Sequence, residues 1–235
     1  MSALFPIFAA LLQASSITLD KVALSIKKVN FKNYIGISFP LIFIINLIIF
    51  GIFQPPFSMS LLSGSLLLYL IFSVLLSIIT NILYYRALDQ DKLAEMEMIA
   101  LVSAIPVIIV SGIVFTDERN FAILIPALFA CGAIIWSHWK DGKILIKKTT
   151  RPFLIWSVLL APLSAALSKI LLESWNPISL ELVRSAIFMA VITPFFQKKI
   201  DNISKRAILY LLATNILTTI AWILFYFSFQ ISGII

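Results

Sequence analysis

Eight runs of about 20 apolar residues, separated by short polar connections, constrain this chain more than any other feature of it. A helix needs ~20 apolar residues to cross ~30 Å of hydrocarbon. The runs cover residues 3–24, 34–53, 61–88, 93–115, 121–139, 153–172, 178–196 and 207–231. Hydrocarbon offers no water to open backbone groups, so a crossing segment in such a chain has to be helical. The third and eighth runs are long enough to tilt or to project beyond the bilayer. The expected fold class is all-α, a polytopic transmembrane helical bundle. The connections are tight: two prolines at residues 54–58, a polar hinge at 116–120, and Trp175-Asn176-Pro177 between the sixth and seventh runs. The longest, residues 140–151, divides the chain in two.

Composition excludes several function classes. Of 235 residues, 61% are hydrophobic and 12% charged, about half the charge a soluble domain carries (~25%). The net charge of +7 does not point to nucleic acid, because the lysines and arginines cluster in the connections, as they do beside a membrane. The single cysteine, Cys131, can close no intrachain disulfide. The single histidine, His138, stands beside Trp136 and Trp139 without the three or four ligands a zinc ion needs. Met1-Ser2-Ala3-Leu4 runs straight into apolar sequence, with no basic leader and no small-residue cleavage pattern, and reads as the start of a first span. The expected partners are the lipid bilayer and a small-molecule substrate, with no nucleic acid. Self-association into a homo-oligomer is left open. The expected location is the cell (plasma) membrane.

The two parts repeat. Shifted by 148 positions, Phe5, Ile7, Leu11, Leu12, Ser16, Leu19, Lys21 and Leu24 meet Phe153, Ile155, Leu159, Leu160, Ser164, Leu167, Lys169 and Leu172. Shifted by 141, Leu68-Tyr69-Leu70 meets Leu209-Tyr210-Leu211, and Leu76, Ile79, Ile82, Leu83 and Tyr85 meet Leu217, Ile220, Ile223, Leu224 and Tyr226. Five spans separate the copies, so equivalent spans cross in opposite directions, the inverted-repeat arrangement of many secondary transporters. The odd-numbered connections carry 15 lysines and arginines, counting Lys21 and Arg86 at the span ends, whereas the even-numbered ones carry one, Arg119. That count places the odd connections in the cytoplasm and the N-terminus outside. The expected organisation is a first five-span repeat at 1–139, a connecting loop at 140–152, and a second repeat at 153–235 holding about three spans. The second copy is expected to be C-terminally incomplete, two spans short of the first.

At the end of the third span stands Asn81-Ile82-Leu83-Tyr84-Tyr85-Arg86-Ala87-Leu88. A fourth span with a central Pro106 follows, then Asp117-Glu118-Arg119 and a fifth span containing Gly132. Lys21 and Lys169 lie late in the first span of each copy, and Arg184 lies early in the seventh span. This order resembles the EamA-like repeat of the drug/metabolite transporter superfamily. The resemblance implies ten spans in two inverted five-span repeats, about eight of them present here. It also implies a central substrate cavity, transport of amino acids, nucleosides or other small metabolites, no enzymatic activity and no cofactor. Besides the two missing spans, three features depart from the family. Gly36 stands where an arginine would map in the second span, Asp117 replaces a glycine, and the family's N-terminus lies inside, against the charge count.

Polar residues are costly in lipid and tend to face a cavity or a neighbouring helix. Gln13, Ser16 and Asp20 share one face of the first span. Ser73, Ser77, Asn81 and Tyr84 share one face of the third, and Asn215, Thr219, Trp222 and Tyr226 one face of the eighth. The candidate cavity residues are Gln13, Asp20, Asn81, Tyr84, Tyr85, Arg184, Trp222 and Tyr226. Interhelical hydrogen bonding is the plainer explanation of the serines and threonines. Candidates for coupling or charge are Lys21, Glu95, Glu97, Lys169 and Glu181. Lys21 can equally snorkel to the interface, and Glu95 and Glu97 can simply favour a helix N-terminus. Lys169 with Glu173, and Glu181 with Arg184, have the spacing of intrahelical ion pairs. No set of residues has the ligand pattern of a metal site. Two other function classes remain: an integral-membrane enzyme acting on a lipid or isoprenoid, and a non-transporting membrane subunit or fragment.

Overall fold

A computed structural model of the chain describes residues 4–116, 121–137, 147–196 and 203–233. The described residues form helices and no strand: α1 (Leu4–Leu24), α2 (Phe31–Phe53), a 3₁₀ turn (Met59–Leu62), α3 (Gly64–Gln90), α4 (Leu93–Val114), α5 (Phe121–Ser137), α6 (Arg151–Leu172), α7 (Pro177–Phe196) and α8 (Lys205–Ser232). Seven of them are long and apolar enough to cross a membrane. The eighth, α5, is apolar but 17 residues long as described. The sequence run continued to residue 139, and residues 138–146 lie outside the described part. The chain is a multi-pass integral membrane protein.

Local chemistry moves several boundaries from where the apolar runs placed them. α2 starts three residues early because the Asn30 Oδ1 accepts from the Lys32 and Asn33 amides, both at 3.0 Å. Those donors would otherwise have no intrahelical partner. α3 starts late, at Gly64, because the Ser58 side chain instead caps a 3₁₀ turn and Ser63 is extended. α6 takes in Arg151 and Pro152, since proline is accommodated in a first turn that needs no amide donor. Pro40, Pro106 and Pro126 lie inside continuous helices.

α1 packs on α8, α2 on α7, α3 on α6, and α4 on both α6 and α5. The first three pairs are antiparallel. Phe5 lies 6.2 Å from Phe227 between ring centroids, while Ser16 meets Thr214 and Thr218 further along. Gly36, early in α2, meets Phe196 at the end of α7, and Ser179, early in α7, reaches the Pro56 carbonyl just beyond α2. Trp156 and Phe153 of α6 meet Thr80 and Tyr84 of α3 in reversed order. Lys21 binds the end of α3, so α1 and α3 run the same way. Ala9, Ala23, Ala207, Ala221, Ser16 and Thr214 are buried in α1 and α8. Small residues let helix backbones approach where lipid supplies no hydrophobic drive to associate.

Large apolar side chains cover the outside. Ile7, Leu11, Leu68, Leu75 and Ile79 are exposed, and so are their repeat mates Ile155, Leu159, Leu209, Ile216 and Ile220. Leu24, Leu70 and Tyr85 are buried together with their mates Leu172, Leu211 and Tyr226. So much contiguous exposed apolar surface is a lipid-facing surface.

Candidate functional site

Helices α1, α2, α3, α6, α7 and α8 enclose a cavity of about 250 Å³. All eight of the cavity residues expected from the sequence line it: Gln13 and Asp20 from α1, Asn81, Tyr84 and Tyr85 from α3, Arg184 from α7, and Trp222 and Tyr226 from α8. Glu181 lines it as well. The other charge candidates lie elsewhere. Lys21 donates from its Nζ to the Leu88 and Asp91 carbonyls, both at 2.6 Å. Lys169 holds its ammonium 4.3 Å from the centre of the Phe115 ring. Glu95 is half-buried in the first turn of α4, and Glu97 is exposed. Asp117-Glu118-Arg119 and His138 lie outside the described residues.

Arg184 is the cavity's cation. It is buried, and its Nη2 donates to the Ser77 Oγ at 2.6 Å while its Nη1 donates to the Tyr226 hydroxyl. Its guanidinium carbon lies 5.4 Å from the Tyr226 ring centre. Glu181, one turn away on α7, makes no ion pair with it among the described residues. The planar fork of arginine reaches across to α3 and α8 instead, which leaves its Nε–H without a partner. The Gln13 Oε1, the Tyr84 hydroxyl and the Thr219 hydroxyl are likewise buried and unpartnered. Buried polar atoms are normally satisfied, and these four belong to residues that line one cavity. The walls between them are aromatic: Phe39, Phe188, Tyr84, Tyr85 and Trp222. Trp222 is 40% exposed and stands at the rim.

Sequence reasoning missed Ile17, Phe39, Ile42, Thr80, Ser164, Ser168, Phe188 and Thr218 of the lining. The repeat held a signal for three of them, since Ser168 is the mate of Asp20, Ser164 of Ser16, and Thr218 of Ser77. Conversely, Ser16, Ser73 and Asn215 share the polar stripes but do not line the cavity: Ser16 bonds Thr214 and Thr218, and Ser73 and Asn215 are buried elsewhere. Gly36 now has a reason to differ from Arg184, its mate. A Cβ there would stand 3.1 Å from the Phe196 carbonyl oxygen, so a side chain would crowd the end of α7. Among the described residues, no group of three or more His, Cys, Asp or Glu could hold a metal.

No protein-family model, curated protein or solved structure matches the chain.

Proposed function

We propose that this protein is a carrier of a small polar, amino-acid-like metabolite in the plasma membrane, built like the EamA-like drug/metabolite transporters and working by alternating access. The observation that carries this reading is one partly open cavity with both signs of charge, lined from both copies of the repeat by residues four of which carry unpartnered polar atoms. Repeat mates line it in pairs: Asp20 with Ser168, Ser77 with Thr218, Asn81 with Trp222, and Tyr85 with Tyr226. The antiparallel contacts and the matched burial of equivalent residues support an inverted repeat with the cavity on its axis, the place where such carriers bind substrate. The cavity is smaller than the ~300–1,000 Å³ of sites for drug-sized ligands, which favours a small metabolite. Arg184 would hold a carboxylate, and Glu181 and Gln13 an ammonium or amide.

Counterflow of labelled L-amino acids in proteoliposomes tests this. We expect saturable exchange of at least one of them. In Arg184→Gln its apparent affinity should fall about 10- to 100-fold, the worth of one charged hydrogen bond. No saturable exchange of any amino acid, or exchange indifferent to Arg184→Gln, would sink the proposal.

A further inference from the structure

Substrate binding leaves one arrangement unexplained. Asp20 is 3% exposed within a membrane-spanning helix. Its Oδ1 accepts from the Tyr34 hydroxyl of α2 and from the Thr214 hydroxyl of α8. Among the described residues, no lysine or arginine pairs with it. Lys21, its neighbour in sequence, is turned away to the carbonyls ending α3. The titratable groups that face Asp20 are Tyr34 from α2 and Tyr84 and Tyr85 from α3. α8 presents Thr214, which does not titrate, and Tyr226 across the cavity, where α7 adds Glu181 and Arg184. An ionised carboxylate taken out of water without a cation is costly, and binding a proton removes the cost.

The hydrogen bonds are built for both protonation states. Thr214 has one hydroxyl proton and three acceptors in reach: Asp20 Oδ1, the Ser16 carbonyl at 3.0 Å and the Ser16 hydroxyl at 2.9 Å. When Asp20 is ionised, Thr214 and Tyr34 both donate to it. When Asp20 holds a proton on Oδ2, which bonds no described protein group, Thr214 can turn to the Ser16 carbonyl and Tyr34 still donates to Oδ1. The Ser16 hydroxyl, 2.9 Å from the Thr214 hydroxyl, continues the chain to Thr218, which lines the cavity. The same oxygens could attract a sodium ion, but they already bond one another, which leaves the proton as the better fit.

We propose that Asp20 is the proton site of the carrier: it takes one proton from cavity water on Oδ2, returns it to water on the other side, and so couples substrate movement to the pH gradient. The coupling rests on the carrier reading; proton binding by Asp20 does not. The test is a pH-difference infrared spectrum of the full chain in nanodiscs, with the proton itself as the probe. We expect a protonated-carboxyl C=O band that titrates, disappears in Asp20→Asn and persists in Glu181→Gln. Thr214→Val should move the band's midpoint, which keeps the test open if Asp20→Asn does not fold. A wild type without the band, a band that survives Asp20→Asn, a midpoint unmoved by Thr214→Val, or a band removed by exchanging potassium for sodium at fixed pH would each overturn the proton site. In proteoliposomes, uptake of the exchanged amino acid driven by a pH gradient should fall at least tenfold in Asp20→Asn. Uptake that does not respond to the gradient overturns the coupling. A titrating band without transport of any amino acid leaves the proton site standing and removes the carrier reading instead.

Discussion

The two ends of the bundle are fastened by different chemistry. At the basic end, where α1 and α3 finish and α6 begins, the fastenings are charged. Lys21 caps the Leu88 and Asp91 carbonyls, and the buried Asp91 carboxylate accepts from the Thr150 hydroxyl at 2.6 Å and pairs with Lys147 at 3.7 Å. The Asp89 Oδ2 accepts from the Phe31 amide at 3.3 Å. At the opposite end, among the described residues, two fastenings are neutral, and one cation, Lys169, lies over the Phe115 ring. The Gln230 Nε2 donates to the Leu172 and Trp175 carbonyls at 2.6 and 2.8 Å, and Phe57 lies against Trp175 with ring centres 6.0 Å apart. Both ends tie a helix end of one hairpin to that of another, because the last carbonyls of a helix have no intrahelical donor. Charged donors and acceptors respond to salt and to nearby charge; an amide and two aromatic rings do not.

The largest test of this comparison is all-or-none. In a Cys131→Ala background, Ser58→Cys and Lys148→Cys should be labelled from opposite sides of the membrane by an impermeant maleimide. The positive-inside rule puts the Lys148 end in the cytoplasm, so intact cells should label Ser58→Cys alone. Labelling of Lys148→Cys alone would invert the orientation and give the family expectation preference over the charge count. Labelling of both from one side would break the two-ended description itself.

The next effect is on stability. Asp91→Ala leaves the fully buried Thr150 hydroxyl without its charged acceptor and should cost about 2–3 kcal/mol. Gln230→Ala removes two neutral hydrogen bonds from a residue that water can reach, and should cost about 1 kcal/mol. Thermal melting in detergent reads both, with the larger fall in Tm for Asp91→Ala. An equal or larger fall for Gln230→Ala would mean that the Gln230 amide is the stronger fastening.

How much of this was legible in the sequence follows from what each feature depends on. Span positions depend on the length of apolar runs, which anyone can count. Their ends depend on single caps such as Asn30 and Ser58. The cavity was legible in outline because residues three or four apart share a helix face, which collected Gln13 with Asp20 and Asn81 with Tyr84. One face can serve a cavity and a neighbouring helix at once, so Ser16 and Asn215 fell to packing. Partners across helices had no sequence signal. The spacing of Glu181 and Arg184 suited an ion pair, yet Arg184 reaches Ser77 and Tyr226, far away in the chain. Asp20 and Lys21 are adjacent in sequence but point about 100° apart on a helix, so a pair of opposite charges in the sequence became a lone buried carboxyl and a helix cap.

The smallest expected effect sharpens the comparison most. Lys147 is 57% exposed at its side chain and bonds both the Asp91 carboxylate and the Gln90 carbonyl. An exposed ion pair contributes roughly 0–1 kcal/mol, so Lys147→Met should lower Tm only slightly at low salt. At about 1 M salt the Debye length is about 3 Å, and the difference between wild type and variant should vanish if the charge is what matters. Gln230→Ala, measured alongside, should keep its deficit at both salt concentrations. If Lys147→Met keeps its deficit in high salt as well, the Gln90 carbonyl rather than the Asp91 charge is its working partner. The basic end would then be held, like the other, by capped helix carbonyls, and Asp91 would owe its strength to Thr150 alone.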